Sequence, residues 1–564
     1  MGVMLWPITT SVYNPLPVQS ISALNHLPLF IILFSLWVLN LAILLFFIKG
    51  NAWERLSLSL VFVLVFVQFW GFKASPWGNS IDSGWLMGHV NYLNTTATIP
   101  NTGNSPLNYF DFPGLIFVGS AVQNMSGCNL FLSVSIYLLL SGVIFTTILF
   151  VTFLKILKNQ SFAALGVVLA LSSSMILGGL MLNQFHPINL ASIFIVTFFM
   201  ILITWGIEGF SDIRITMVFL ILIVAATMEY IYTPVFVSFV LLSIYIFRRV
   251  TKLSYNISFI TALLPLVLFL FWEIFWTVWS FHTNIIQLPQ ALQSIINGQW
   301  LLPTKLILSE NVGAAYPWWG DVAKYFWWLC VFGLGTLLMF WWLFRWKHAD
   351  ANRRIQIAIF VGILITVIVG SFSGGIIGIE HGGIERYIWV GPFVLVPAII
   401  MFLSVFKTRY LALGFSLICL LLILPTFLTN ADTIAVDRIY YDEVKSFQVL
   451  SEIINPDNIT IFGFPSVSSV SFIYLPNASI VYGAYLYGGA NETEAWNNLQ
   501  VNVNEFLSSD PAKNVAVISV KSKQTYQQYL GVSLNSPQWQ NIENELSESN
   551  RIFDDGNLEF YLPS

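Results

Sequence analysis

The residue types and spacings best suited to chemistry begin at Asp82. It sits in a polar stretch, Pro76-Trp-Gly-Asn-Ser-Ile-Asp82-Ser-Gly-Trp-Leu-Met-Gly-His89, between apolar runs. A carboxylate can take a proton as a general base, and an imidazole such as His89 can share or relay one. A solvated loop acid is the plainer alternative, and the stretch alone leaves both open. A second group is Glu380-His381-Gly-Gly-Ile-Glu385-Arg386-Tyr387. Arg386 opens an apolar run, and its planar fork suits paired phosphate oxygens; snorkelling, or an ion pair with Glu385, are the alternatives. Asp111, in Tyr109-Phe-Asp111-Phe-Pro-Gly114, and His186, in Asn183-Gln184-Phe-His186-Pro187, complete the polar candidates. His186 suits capping or orienting as well as it suits a metal. Glu229 and Glu273 lie in or beside apolar runs, where an acid is expensive and by default functional. Their placement near the ends of those runs also lets each face a hydrated cavity.

These residues are carried by a chain that is mostly apolar. Of 564 residues, 57% are hydrophobic and only 9% charged, a balance outside soluble composition. Runs long enough to cross ~30 Å of hydrocarbon recur at 28–48, 56–72, 130–154, 161–182, 188–205, 215–230, 231–247, 257–280, 324–346, 355–373, 387–406 and 410–429. The expected fold is therefore a polytopic α-helical membrane protein with about twelve spans. It comprises a membrane domain, 1–429, with large loops at 73–129 and 281–323, and a soluble domain, 430–564.

Basic residues set the orientation. One set of alternate loops holds Lys49, Arg55, Lys155, Lys158, Arg214, Arg248, Arg249, Lys252, Arg345, Lys347, Arg353, Arg354, Lys407 and Arg409. The opposite set holds only Lys73, Lys305, Lys324 and Arg386. Positive loops stay in the cytoplasm, so the long loops and both termini are expected outside, with the protein multi-pass in the plasma membrane. The sequons at Asn94, Asn124, Asn458, Asn477 and Asn491 agree with this orientation, while those at Asn159 and Asn256 fall inside. His26, His89, His186, His282 and His381 all fall on or near the outer side, so titratable chemistry is expected there. No basic n-region precedes an apolar core at the start, so the first span is expected to serve as its own insertion signal. Cys128, Cys330 and Cys419 are scattered and form neither a disulfide framework nor a metal motif. A net charge of −4 argues against a nucleic-acid partner.

From Asn430 the composition turns polar. Residues 438–455 have helical spacing, while 459–462, 514–520 and 558–562 read as strands, with further helices near 493–507 and 539–548. Alternation of this kind indicates a small α/β domain. It contains no phosphate loop, nucleophile elbow or paired histidine ligands, so a lid or partner platform is its expected role.

Together these residues resemble the GT-C class of integral-membrane glycosyltransferases, which use polyprenyl-phosphate-linked sugars. The resemblance is carried by a long outer loop with an early acid and a following histidine (Asp82, His89). That loop continues through Ile99-Pro100 and Tyr109 to Gly114 into a span. Many short apolar helices follow, then Arg386-Tyr387 at the start of a late span, and a soluble domain ending in Arg551-Ile-Phe-Asp-Asp-Gly-Asn-Leu-Glu-Phe-Tyr561, like the strand-turn-strand ending of many microbial members. It covers most of the chain. The long loop follows the second span rather than the first, which implies an extra N-terminal helix. A Trp-Trp-Gly-Asp run at 318–321 resembles the oligosaccharyltransferase Trp-Trp-Asp signature but lies in a membrane connection, so that role is not carried over.

The resemblance implies an enzyme moving a sugar, with inversion, from a polyprenyl-phosphate donor to a glycan, protein or lipid acceptor on the outer side, within cell-envelope glycosylation. Asp82 would be the base and Arg386 the partner of the donor phosphate. His89, Asp111, His186, Glu380, His381 and Glu385 are candidate substrate contacts. Members that need a divalent cation carry a second acidic motif where this chain reads Asn183-Gln184-Phe-His186. No metal ligand is therefore assigned, no cofactor is required, and Mg²⁺ or Mn²⁺ stays an open alternative. A transporter or flippase for lipid-linked saccharide, or a non-catalytic assembly component, is the competing reading. Transporters tend to show internal repeats and midplane polar sites. No convincing repeat relates the two halves, and the polar residues gather at the outer edge.

Overall fold

The computed structural model describes residues 50–63, 81–99, 108–176, 185–208, 213–230, 232–251, 257–277, 329–374, 390–403 and 441–454 and, in shorter pieces, 459–563. The expected spans 28–48 and 410–429, all but one residue of the loop 281–323, and Glu380, His381, Glu385 and Arg386 lie outside the described residues.

Helix α1 (Ala52–Phe62) opens on a reciprocal cap. The Asn51 side chain accepts from the Glu54 amide and the Glu54 carboxylate from the Asn51 amide, each at 3.0 Å. The stretch from 81 to 126 folds into α2 (Ile81–Thr96), a 3-10 turn (Asn108–Asp111) and α3 (Gly114–Ser126). Then come α4 (Leu130–Leu157), α5 (Gln160–Ile176), α6 (Pro187–Glu208), α7 (Ile213–Glu229), α8 (Tyr232–Thr251) and α9 (Phe259–Phe275). The later membrane helices are α10 (Gly335–Phe344), α11 (Ala351–Gly374) and α12 (Gly391–Leu403).

Asn129 starts α4 by accepting from the Leu132 amide (2.9 Å), and Lys158, at φ 53, stops it in the left-handed region. Its 28 residues span about 42 Å, more than a bilayer core needs. Four described helices, within α4, α6, α8 and α11, are long and apolar enough to cross a membrane, and shorter apolar helices accompany them. Their outward faces are apolar too: Leu132, Met217, Val267 and Phe271 are all exposed. An apolar outside on an apolar inside suits lipid, not water. The chain is a polytopic membrane protein. The inner core is one continuous cluster in which α5, α6, α8, α11 and α12 bury side chains such as Val168, Phe199, Leu241, Phe360 and Leu395.

The last quarter of the chain forms α13 (Tyr441–Ile453), β1 (Thr460–Gly463), β2 (Ser479–Tyr482), β3 (Asn514–Ser519), α14 (Pro537–Leu546), β4 (Asn550–Asp554) and β5 (Leu558–Leu562). The sheet order is β2-β1-β3-β5-β4. β2, β1 and β3 are mutually parallel, and β5 runs antiparallel to both β3 and β4. The two-residue period of a strand sends alternate side chains to opposite faces. Val515 and Val517 join Phe447, Leu450 and Phe560 on the α13 face, while Ala516 and Ile518 join Trp539 and Ile542 on the α14 face. Covered on both sides, β3 is buried throughout, which is why it reads as a near-continuous apolar run. The cluster on the α13 face runs on without a break into Leu86, Met87, Val90, Phe110, Leu115 and Ile116 of α2, the 3-10 turn and α3. Asn91 ties the two regions by donating to the Ile473 carbonyl (3.0 Å).

Candidate functional site

Among the described residues, several buried ionisable side chains lie where α2, the 3-10 turn and α3 sit on one end of the helix bundle. Asp82 is the second residue of α2, in its first turn. The next residue, Ser83, is fully buried and accepts from the Phe185 amide (3.1 Å). That bond joins the start of α2 to the segment carrying His186, so two regions about a hundred residues apart meet here. Phe185 stands edge-on to Tyr137 (5.4 Å between centroids). The Tyr137 hydroxyl donates to Asn189 Oδ1 on α6 (3.3 Å).

His186 uses its ring locally. Its Nδ1 accepts from the Ile188 amide (3.1 Å), which satisfies one of the free donors at the start of α6. Of the roles open from sequence, capping is the one seen. His89 is also inward. It is fully buried, its Nδ1–H donates to the Trp85 carbonyl one helical turn back (2.7 Å), and its ring leans on Phe110 (5.1 Å). A carbonyl only accepts, so Nδ1 is the donor in this contact.

Phe110 and Asp111 are gripped from α9. Trp272 Nε1 donates to the Asp111 carbonyl (3.0 Å) and Trp276 Nε1 to the Phe110 carbonyl (3.2 Å). The indoles are one turn apart on a single helix face and stack at 27° with 5.2 Å between centroids. Between them in sequence, Glu273 is 2% exposed and its Oε1 is buried. Asp111 is itself 1% exposed.

Glu229, the last residue of α7, is fully buried against the first turn of α3. A side chain at Gly114 would put its Cβ 2.3 Å from Glu229 Oε2 and 3.1 Å from its Cα. α3 has no side-chain cap of its own, since Pro113 precedes it. A carboxylate at the N-terminus of a helix meets unpaired N–H groups and the positive end of the dipole. Glu229 is packed against the start of α3 from another helix.

Asp82 in backbone position, His89, Asp111 and His186 therefore share one end of the bundle with Glu229 and Glu273. Glu380, His381, Glu385 and Arg386 fall between α11 and α12. Phe393 meets Phe145 near the middle of α4, and Ile400 lies beside Phe153 further along it. α12 therefore begins toward the α2 end and runs away from it. The sequence reading did not anticipate the two tryptophans as anchors. Their signal was present in Trp272-Glu273-Ile-Phe-Trp276, where the i, i+4 spacing puts both indoles on one face. Among the described residues no three His, Cys, Asp or Glu side chains converge as a metal-ligand set.

No family model and no curated protein matches the chain. Among solved structures it is similar to an Archaeoglobus fulgidus oligosaccharyltransferase tethered to an acceptor peptide, at 11% identity and TM-score 0.45, covering 91% of this chain and 74% of that one. It is also similar to ArnT from Cupriavidus metallidurans. The apo form aligns at 12% identity and TM-score 0.41, and the form bound to undecaprenyl phosphate at 12% and 0.40, each covering 91% of this chain and 98% of that one. Likenesses this distant fix neither an activity nor a substrate.

Proposed function

We propose that this protein is a membrane glycosyltransferase that moves a sugar from a polyprenyl-phosphate-linked donor to an acceptor at the α2 end of the bundle. The observation that carries the reading is the gathering of ionisable side chains at that one end, around the helix that begins at Asp82. A transporter is expected to hold its polar groups at the membrane midplane. Glu229 is instead the last residue of α7, and Glu273 lies in the last turn of α9. The reading rests on these residues and the sequence pattern, not on the distant structural likenesses.

In the proposed reaction Asp82 takes the proton of the acceptor hydroxyl or amide as that atom attacks the anomeric carbon. The bond from that carbon to the phosphate oxygen breaks, and the electron pair leaves with the polyprenyl phosphate. Displacement from the opposite face inverts the centre. Arg386 neutralises the departing phosphate, for which a guanidinium fork is suited. No step is assigned to a metal. His89 and His186, both turned to backbone partners, act by holding α2 and the start of α6 rather than by touching substrate. Asp82→Asn removes the base and is expected to reduce transfer by at least about a hundredfold, with the melting midpoint of the purified protein unchanged. Wild-type turnover in that variant overturns the assignment.

A further inference from the structure

The end of the bundle away from Asp82 carries a second polar feature that the proposed transfer does not use. α8 ends in Arg248 and Arg249, the turn between α10 and α11 carries Arg345 and Lys347, and the first turn of α11 carries Arg353. The two segments are packed together, with Phe247 meeting Trp346 edge-on at 5.2 Å between centroids. Arg248 is structural, since its Nη1 donates to the Ile257 carbonyl at 2.8 Å. The other arginines lie against aromatic rings. Arg345 lies 4.2 Å over the Trp341 ring, Arg249 5.3 Å over Tyr245 and Arg353 5.4 Å over Trp342. Arg249 also donates through Nε and Nη2 to the Tyr245 hydroxyl (3.3 and 3.1 Å), and Arg353 through Nη1 to Gln356 Oε1 (3.3 Å), so both forks are held in place with only part of their five N–H donors used. Asp350, the acid in this turn, accepts from the Arg353 amide (2.6 Å) as the cap of α11. Among the described residues no carboxylate forms a salt bridge with these cations.

Their apolar neighbours identify the anion. Phe344, next to Arg345, is 84% exposed, and Val250, next to Arg249, is 77% exposed. Charged forks and bare apolar side chains at one level match the junction of a lipid's phosphate with its acyl chains. Topogenic bias calls for basic residues near span ends; it does not call for three arginines each held against an aromatic side chain where two packed segments meet.

We propose that this turn and the end of α8 form a binding site for the headgroup of an anionic phospholipid, in which Arg249, Arg345, Lys347 and Arg353 hold the phosphate and Phe344 and Val250 lie along the acyl chains. The site is independent of the transfer reaction. The full-length protein is reconstituted in nanodiscs of phosphatidylcholine and phosphatidylglycerol in equal amounts. It is then extracted in mild detergent, and the lipids that remain bound are counted by native mass spectrometry. The wild type is expected to retain phosphatidylglycerol well above its share of the bilayer. The triple variant R249Q/R345Q/K347Q is expected to lose that preference, at about fivefold per charge removed. Lys445→Gln, on α13, is expected to keep it. R249K/R345K, which retains the charges without the forks, is expected to fall between. Bound lipid in the bilayer ratio for the wild type overturns the proposal without reference to any variant. So does an unchanged preference in the triple variant, or displacement of the lipid by excess inorganic phosphate, which would mark a site for free phosphate.

Discussion

At the scale of single residues, the buried acids divide by what surrounds them. Glu229 is packed against the start of α3, which Pro113 leaves without a side-chain cap. Glu273 and Asp111 are buried as well. They are brought together because Trp272 and Trp276 fasten successive carbonyls of the 3-10 turn to α9. Trp272→Phe keeps most of the apolar volume and removes one donor, which leaves the Asp111 carbonyl short of a partner at a cost of about 1–3 kcal/mol. The expected outcome is faster hydrogen exchange across residues 108–115 and slower transfer, with exchange in α9 itself unchanged. Normal exchange at the turn would mean that Trp276 alone holds it.

At the scale of elements, close approach is what fixes the site. α3 can lie on the end of α7 only because residue 114 has no side chain, since a Cβ there would meet both the carboxylate and the backbone of Glu229. Gly114→Ala forces the two helices apart and is expected to destabilise by about 1–3 kcal/mol, read as a lower melting midpoint. Gly127→Ala is the contrast. Gly127 sits at φ 64 with nothing within 4 Å of its added carbon, so only backbone strain of about 1 kcal/mol is expected. If removing the Glu229 side chain fully rescued Gly114→Ala, backbone crowding would not be the cause. The same examples show what was legible beforehand. Hydropathy marks α7 and α8 to within a few residues, even though only 230–231 separate them, because a helix's apolar character is local. β3 was readable for the same reason. β2, four residues long, was missed, because so short a run carries little periodic signal. The contact of Glu229 with α3 was missed because Glu229 and Gly114 are remote in sequence and neither residue advertises the other. Sequence named His89, Asp111, His186, Glu229 and Glu273 singly, but not the backbone partners of the two histidines or the tryptophans that fasten the 3-10 turn to α9.

At the scale of the whole molecule, orientation and cohesion are the open physical questions. The basic loops predict that the α2 end faces out. Cys128, just beyond α3 and partly exposed, is a natural reporter. In intact cells a membrane-impermeant maleimide is expected to label Cys128, and protection until the cells are lysed would invert the topology. Cohesion follows from the cluster shared between the sheet and α2. Ile473 belongs to it at 2% exposure, and its carbonyl accepts from Asn91 on α2. A buried Ile→Ala change typically costs 2–5 kcal/mol, from lost burial and the cavity left behind. Because the cluster is continuous, that loss is expected to loosen both partners. Ile473→Ala should raise deuterium uptake in α2 as well as in β1 and β3, while α5 and α12, in the separate inner core, stay protected. It should also slow transfer, because Asp82 opens the same helix. Uptake confined to the sheet, with α2 unaffected, would show that the two regions hold together separately and that the sheet does not support the helix that begins at Asp82.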